Sequence, residues 1–192
     1  MSAVESRVGA TPVSTTNRWM PALRVLSAVV CLELVGVLLL TQEKFRAYEA
    51  TLVSAVGNFF EGRISSHMGD AVLVQTSDLV WTAFRITMEC TSLVMIIPLL
   101  LFSALIVLPA KAHWGSWLTA TVVGLVLIEI INVARIWLII LATRTWSEAG
   151  FWWTHVVSGS VLAIFGASVT VTVMLKIVNG KIRNRAERTP SA

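Results

Sequence analysis

The chain has 192 residues, a mean hydropathy of +0.77, 56% hydrophobic side chains and only 14% charged ones. Soluble domains carry about a quarter charged residues, so this composition excludes a water-bounded core and points to a bilayer as the solvent. The net charge of +4 would suggest nucleic acid in a soluble protein; here its distribution sets orientation, and no nucleic-acid partner is expected.

The polar start, residues 1–18, lacks the basic and apolar regions and the small-residue cleavage site of a signal peptide. It reads as a cytoplasmic tail, followed by an uncleaved anchor over residues 19–40 that contains Cys31 and Glu33. In segment 41–89, Phe45, Tyr48, Leu52, Val56, Phe59 and Phe60 recur at helical spacing among charged residues. That pattern predicts an amphipathic helix lying on the membrane surface, with a fifth spanning segment as the alternative. Ala71-Val-Leu-Val and Phe84-Arg-Ile-Thr-Met are short and partly β-branched, which makes a small hairpin an option. Three more apolar runs follow, over residues 90–108, 117–142 and 152–177. Each reaches the ~20 residues needed to cross ~30 Å of hydrocarbon, and tryptophans cluster near their ends as in an interfacial belt. The expected fold is thus an all-α polytopic membrane protein. It has about four transmembrane helices in one membrane domain (residues 19–177), an extracytoplasmic amphipathic helix, and a basic cytoplasmic tail over 178–192.

Orientation follows from charge. Arg7, Arg18, Arg24, Lys111, Lys176, Lys181, Arg183, Arg185 and Arg188 fall on one side; Lys44, Arg46, Arg63, Arg85 and Arg144 fall on the other. The positive-inside rule places the larger set in the cytoplasm with both termini. Segment 41–89 and a turn around 144–150 then become extracytoplasmic.

With that topology, Cys90, Arg135 and His155 reach one level on the outer side of three helices. A thiol attacks as its thiolate, and a helix N-terminus or nearby cation lowers its pKa. His155 can take the thiol proton and return it to a leaving amine. Arg135 stays charged and can steady an oxyanion. Asn132, one turn below, could orient Arg135 or the substrate. The bland readings are an inert cysteine, a hydrogen-bonding histidine, and an arginine paired with Glu129 or Glu33. An arginine inside a span is costly, however, and is functional or paired by default. The three histidines, His67, His113 and His155, lie in separate regions, and neither a metal nor a cofactor is expected.

Glu89-Cys90-Thr91-Ser92 opens a spanning helix, Asn132-Val-Ala-Arg135-Ile136 lies in the next, and His155-Val-Val-Ser-Gly159 opens the last. In this order the motifs resemble the exosortase/archaeosortase family, over about residues 84–165. Many members have Ser-Gly after the cysteine, where this chain has Thr91-Ser92, and many have more spanning helices. The resemblance implies a membrane cysteine transpeptidase or protease. Its substrates would be exported proteins whose C-terminal sorting signal comprises a short motif, a spanning helix and a basic tail. It implies Cys90 as nucleophile, Arg135 as electrostatic stabiliser and His155 as general acid/base, with Glu89, Asn132 and Gly159 in support. A lipid or glycan would be the acceptor. Two other readings stand beside it: a glutamate-dependent intramembrane protease using Glu89, Glu129 and His155, and a non-enzymatic assembly or transport subunit.

Overall fold

The computed structural model describes residues 19–61, 65–77, 80–109 and 113–186. The tail over 1–18, with Arg7 and Arg18, lies outside the described residues, as do Arg63, Asp78, Lys111 and Arg188. In chain order the elements are α1 (Met20–Leu40), α2 (Gln42–Glu61), β1 (Ser65–Met68), β2 (Ala71–Ser77), β3 (Val80–Arg85), α3 (Leu93–Val107) and α4 (Trp114–Trp153). A π-helical turn (Thr154–Ser158) then leads into α5 (Gly159–Ala186).

Among the described residues, three helical stretches are long and apolar enough to cross a membrane: Met20–Leu40, Trp114–Trp146 and Ala149–Gly180. The second expected run differs. Its helix starts only at Leu93 and holds 15 residues, about 22 Å at 1.5 Å per residue. Residues 88–92 form a turn ahead of it instead of opening the helix. The remaining helix packs tightly on α1, where Cys31 is buried beside Ala104 and Val107.

The last two apolar stretches form one antiparallel hairpin. Gly150 lies against the carbonyl of Ala142. Eight residues along a straight helix are ~12 Å apart, so the chain reverses between them, within the turn expected around 144–150. Close contacts of Gly159 with Arg135, Gly166 with Ile131 and Gly124 with Met174 continue the same register down the hairpin. Small residues let the two helices approach at close range, as membrane helix pairs require.

The hairpin suggested between α2 and α3 proves to be a three-stranded antiparallel sheet in the order β1-β2-β3. A two-residue turn joins β1 to β2, and Gly69 supplies the positive φ of 59° that such a turn needs. Asp70, the other turn residue, accepts Arg85 at 3.0 Å and faces Arg46 at 3.8 Å.

The apolar stripe read for α2 is also revised. Tyr48, Phe59 and Phe60 point outward, while Ala50 and Val53 are fully buried under Val72 and Val74 of β2 and beside Val133, Ile136 and Ile140 of α4. The helix is therefore clamped between sheet and α4 through a face one turn-fraction away from its largest aromatics. Gly57 explains the clamp: its missing side chain makes room for the indole of Trp137, whose Nε1–H donates to the Val53 carbonyl at 2.9 Å.

Candidate active site

Clamping α2 in this way carries Glu49 to the interior, where it is wholly buried. Its Oε1 accepts the Ser92 backbone N–H at 2.7 Å and the Asn132 Nδ2–H at 2.9 Å. Ser92 Oγ in turn donates to Glu129 Oε2 at 2.8 Å. One serine thus ties α2 and α4 to the start of α3, whose first N–H groups lack intrahelical partners. Just upstream, the Cys90 and Thr91 N–H groups both donate to the Thr87 carbonyl, at 3.1 and 3.2 Å. The cysteine is held on a pinned turn, two residues before the helix cap at Ser92.

Arg135 comes from α4 and is buried, 6% exposed. Its Nη1 donates to the Glu89 carbonyl at 3.2 Å. The guanidinium lies across Gly159, where a Cβ would sit 3.0 Å from Nε and 3.1 Å from Nη2. Among the described residues Nε has no hydrogen-bond partner and Arg135 is in no ion pair. Neither carboxylate considered as its structural partner serves: Glu129 bonds Ser92, and Glu33 is exposed on α1. Asn132 likewise holds Glu49 and not Arg135.

His155 enters from the far arm of the hairpin. The π-helical turn places it there: the Gly159 N–H reaches back five residues to the Thr154 carbonyl, a widening that recurs at functional sites. Its ring stacks on Phe151, with centroids 5.2 Å apart and planes 6° from parallel. Nδ1 lies 3.3 Å from Cys90 Sγ. Both residues line a cleft of about 720 Å³.

Burial sets the resting electrostatics. It pushes the Cys90 thiol above its ordinary value, and the Thr87 hydrogen bond and the Arg135 charge only partly offset this. Against the expected lowering by a helix end and a nearby cation, burial is the largest influence and acts upward. Glu89 is exposed, and the Thr87 hydroxyl and its own backbone N–H hold its carboxyl below the usual range, with His155 adding to the effect. Burial pushes Glu49 up, and neighbouring Glu129 adds to that push.

Of the six residues singled out from sequence, Cys90, Arg135, His155, Glu89 and Gly159 meet around one turn, while Asn132 belongs to the polar layer beneath it. The glutamate-based alternative gains no such meeting: among the described residues no hydrogen bond joins Glu129 to Glu89 or His155. Sequence reading missed Glu49, which looked like one more surface charge. Its signal was its place at i, i+3, i+4 and i+7 with Leu52, Val53 and Val56, on the side that α2 buries. Phe151 and Thr87 carried no comparable signal.

Residues 20–174 match the family model described as transmembrane exosortase, whereas no curated protein and no solved structure matches the chain. The match covers α1 through most of α5, well over half of the sequence and every residue of the cleft. The chain is a membrane protein and belongs to the transmembrane exosortase family.

Proposed function

We propose that this protein is a cysteine transpeptidase that cleaves C-terminal sorting signals of exported proteins on the extracytoplasmic side of the cell membrane, with both its termini in the cytoplasm. The observation that carries the reading is the 3.3 Å approach of His155 Nδ1 to Cys90 Sγ at the edge of a cleft. Pairing a buried thiol with an imidazole is the arrangement by which a protonated cysteine becomes a nucleophile on demand.

In this mechanism Nδ1 of His155 accepts the thiol proton. The sulfur attacks the scissile carbonyl carbon. Arg135, whose Nε lacks a partner, stabilises the oxyanion. Collapse breaks the C–N bond, the departing nitrogen takes the proton from His155, and a thioester to Cys90 remains. A hydroxyl or amine of a lipid or glycan acceptor then gives its proton to His155 and attacks the thioester. The C–S bond breaks, and the thiol regains the proton. The Glu89 carboxylate beside His155 offsets the imidazolium charge that exists between these steps. Water as acceptor would give hydrolysis by the same route.

The test uses cells expressing the full chain or its Cys90→Ala variant. An exported protein ending in a spanning helix and a basic tail is expected to accumulate uncleaved only with the variant. A membrane-impermeant maleimide added from outside is expected to label Cys90 and leave Cys31 unlabelled. Normal processing by Cys90→Ala sinks the thiol mechanism, and labelling of Cys90 only from the cytoplasmic side sinks the orientation.

A further inference from the structure

The cleft beside Cys90 has a wall that this chemistry leaves unused. Among the described residues, β3 is the end strand of its sheet. The consecutive residues from Thr82 to Thr87 all line the cleft, and β2 contributes none of the lining. A sheet face presents alternate residues only, so the cleft runs along the open edge of β3 and not across a face.

The register identifies which backbone groups point into it. The Ile86 N–H donates to the Asp70 carbonyl at 2.9 Å. This continues the antiparallel pairing in which Phe84 faces Val72 and Thr82 faces Val74. Directly opposed pairs alternate between bonded and non-bonded. Ile86, Phe84 and Thr82 therefore direct their backbone groups at β2, while Ala83 and Arg85 turn theirs toward the cleft. The opposite wall is the apolar flank of α4 at Ile136, Ile139 and Ile140, and the cleft is continuous with Cys90 and His155.

We propose that the open edge of β3 is the substrate-binding strand: the extended segment of an exported polypeptide just before its membrane helix pairs with Ala83 and Arg85 as a fourth strand. This rests on the cysteine transpeptidase reading. An extended peptide is the occupant because only a second extended backbone answers a row of N–H and C=O groups at strand spacing, and because the row leads to a thiol suited to attack on a peptide carbonyl. Main-chain pairing supplies affinity, and alternate peptide side chains facing the cleft supply selectivity.

The experiment measures the rate of Cys90 capture in the full-length protein in lipid nanodiscs. The probes are iodoacetamide and a pool of randomised hexapeptides ending in a vinyl sulfone, which fixes each amide's distance from the sulfur. Two further pools carry N-methyl groups on every second backbone amide, in opposite phases. One phase is expected to slow capture by roughly two- to tenfold for each hydrogen bond removed, and the other to leave it unchanged. Equal sensitivity in both phases, or none, overturns strand addition while leaving the thiol chemistry standing. If neither iodoacetamide nor any peptide pool reacts at Cys90, both readings fall together. Ala83→Pro removes one cleft-facing N–H at an edge where proline is tolerated. It is expected to slow capture of the unmethylated pool and shrink the difference between phases; an undiminished difference counts against the proposal. The methylated pools test the unaltered protein, so the result does not depend on that variant folding.

Discussion

The carboxylate of Glu49 holds the backbone N–H of Ser92 at 2.7 Å, across forty-three residues of sequence. This bond fixes the end of the turn that carries Cys90. Glu49→Ala strips a buried acceptor from both Ser92 and Asn132. Each donor left unsatisfied costs about 1–3 kcal/mol, so the thermal midpoint in detergent should fall clearly. Glu49→Gln keeps an acceptor oxygen and should recover most of the loss.

Glu49 also predicts a pH dependence. Burial raises its carboxyl in the folded protein, so the folded state keeps the proton where the unfolded chain releases it. Its contribution to stability is then fully present below the ordinary carboxyl range and is lost as pH rises through the raised value. Unfolding midpoints of the wild type should decline over that window, and those of Glu49→Gln should decline less. Identical pH profiles would rule out Glu49 as the source.

A second titration concerns the sulfur. With Cys90 pushed up by burial, alkylation by iodoacetamide should keep rising with pH beyond the ordinary thiol range. Arg135→Gln removes the charge that pulls the thiol down, so the midpoint should move higher still. A wild-type midpoint below the ordinary range would contradict the packing argument.

In the transfer reaction, Arg135→Lys should behave as a severe lesion, with kcat falling about 10²- to 10³-fold, the range for losing one aimed hydrogen-bond donor in an oxyanion site. A lysine keeps the charge but loses the planar fork. Gly159→Ala should reproduce part of this loss, since its methyl group would crowd a guanidinium 3.0 Å away. It acts by moving Arg135, so the thiol midpoint should shift upward as the rate falls. An unchanged midpoint would mean that Gly159 matters only for packing.

Replacing His155 by alanine should lower processing by about 10²- to 10⁴-fold, the usual contribution of general acid–base catalysis. Raising the pH should restore part of the first chemical step by forming thiolate without the imidazole. Single-turnover formation of the thioester, followed by mass spectrometry of the intact protein, would show this. Full activity of His155→Ala at neutral pH would remove His155 from the mechanism.

Much of this arrangement was legible in the chain itself. Apolar runs of sufficient length marked α1 and the α4–α5 hairpin, and the turn near Gly150 fell where polar residues interrupt them. Cys90, Arg135 and His155 stood out because the charge-based topology brought them to one level on three helices, and because an arginine inside a span is functional or paired by default. What escaped depended on tertiary contacts. The buried face of α2 is set by Gly57 receiving Trp137, a pairing across eighty residues that periodicity does not encode, so the large aromatics misled. The late start of α3 goes with a turn on the Thr87 carbonyl and with the Glu49 bond to Ser92, a contact across forty-three residues that the apolar run does not encode. The third strand was hidden because Ser65-Ser-His-Met has no hydrophobic alternation and is held largely by its neighbours, including Ser54 and Asn58.

The hairpin of α4 and α5 carries both Arg135 and His155, whereas Glu49, Cys90 and the β3 edge all belong to the chain before α4. The protein is thus divisible at one place into two fragments, neither of which holds a complete set of reactive groups. Expressed separately in one membrane, the two pieces would regain thioester formation only by finding each other. Turnover would then report the association of helices within the bilayer, with a chemical signal in place of a fluorescent one.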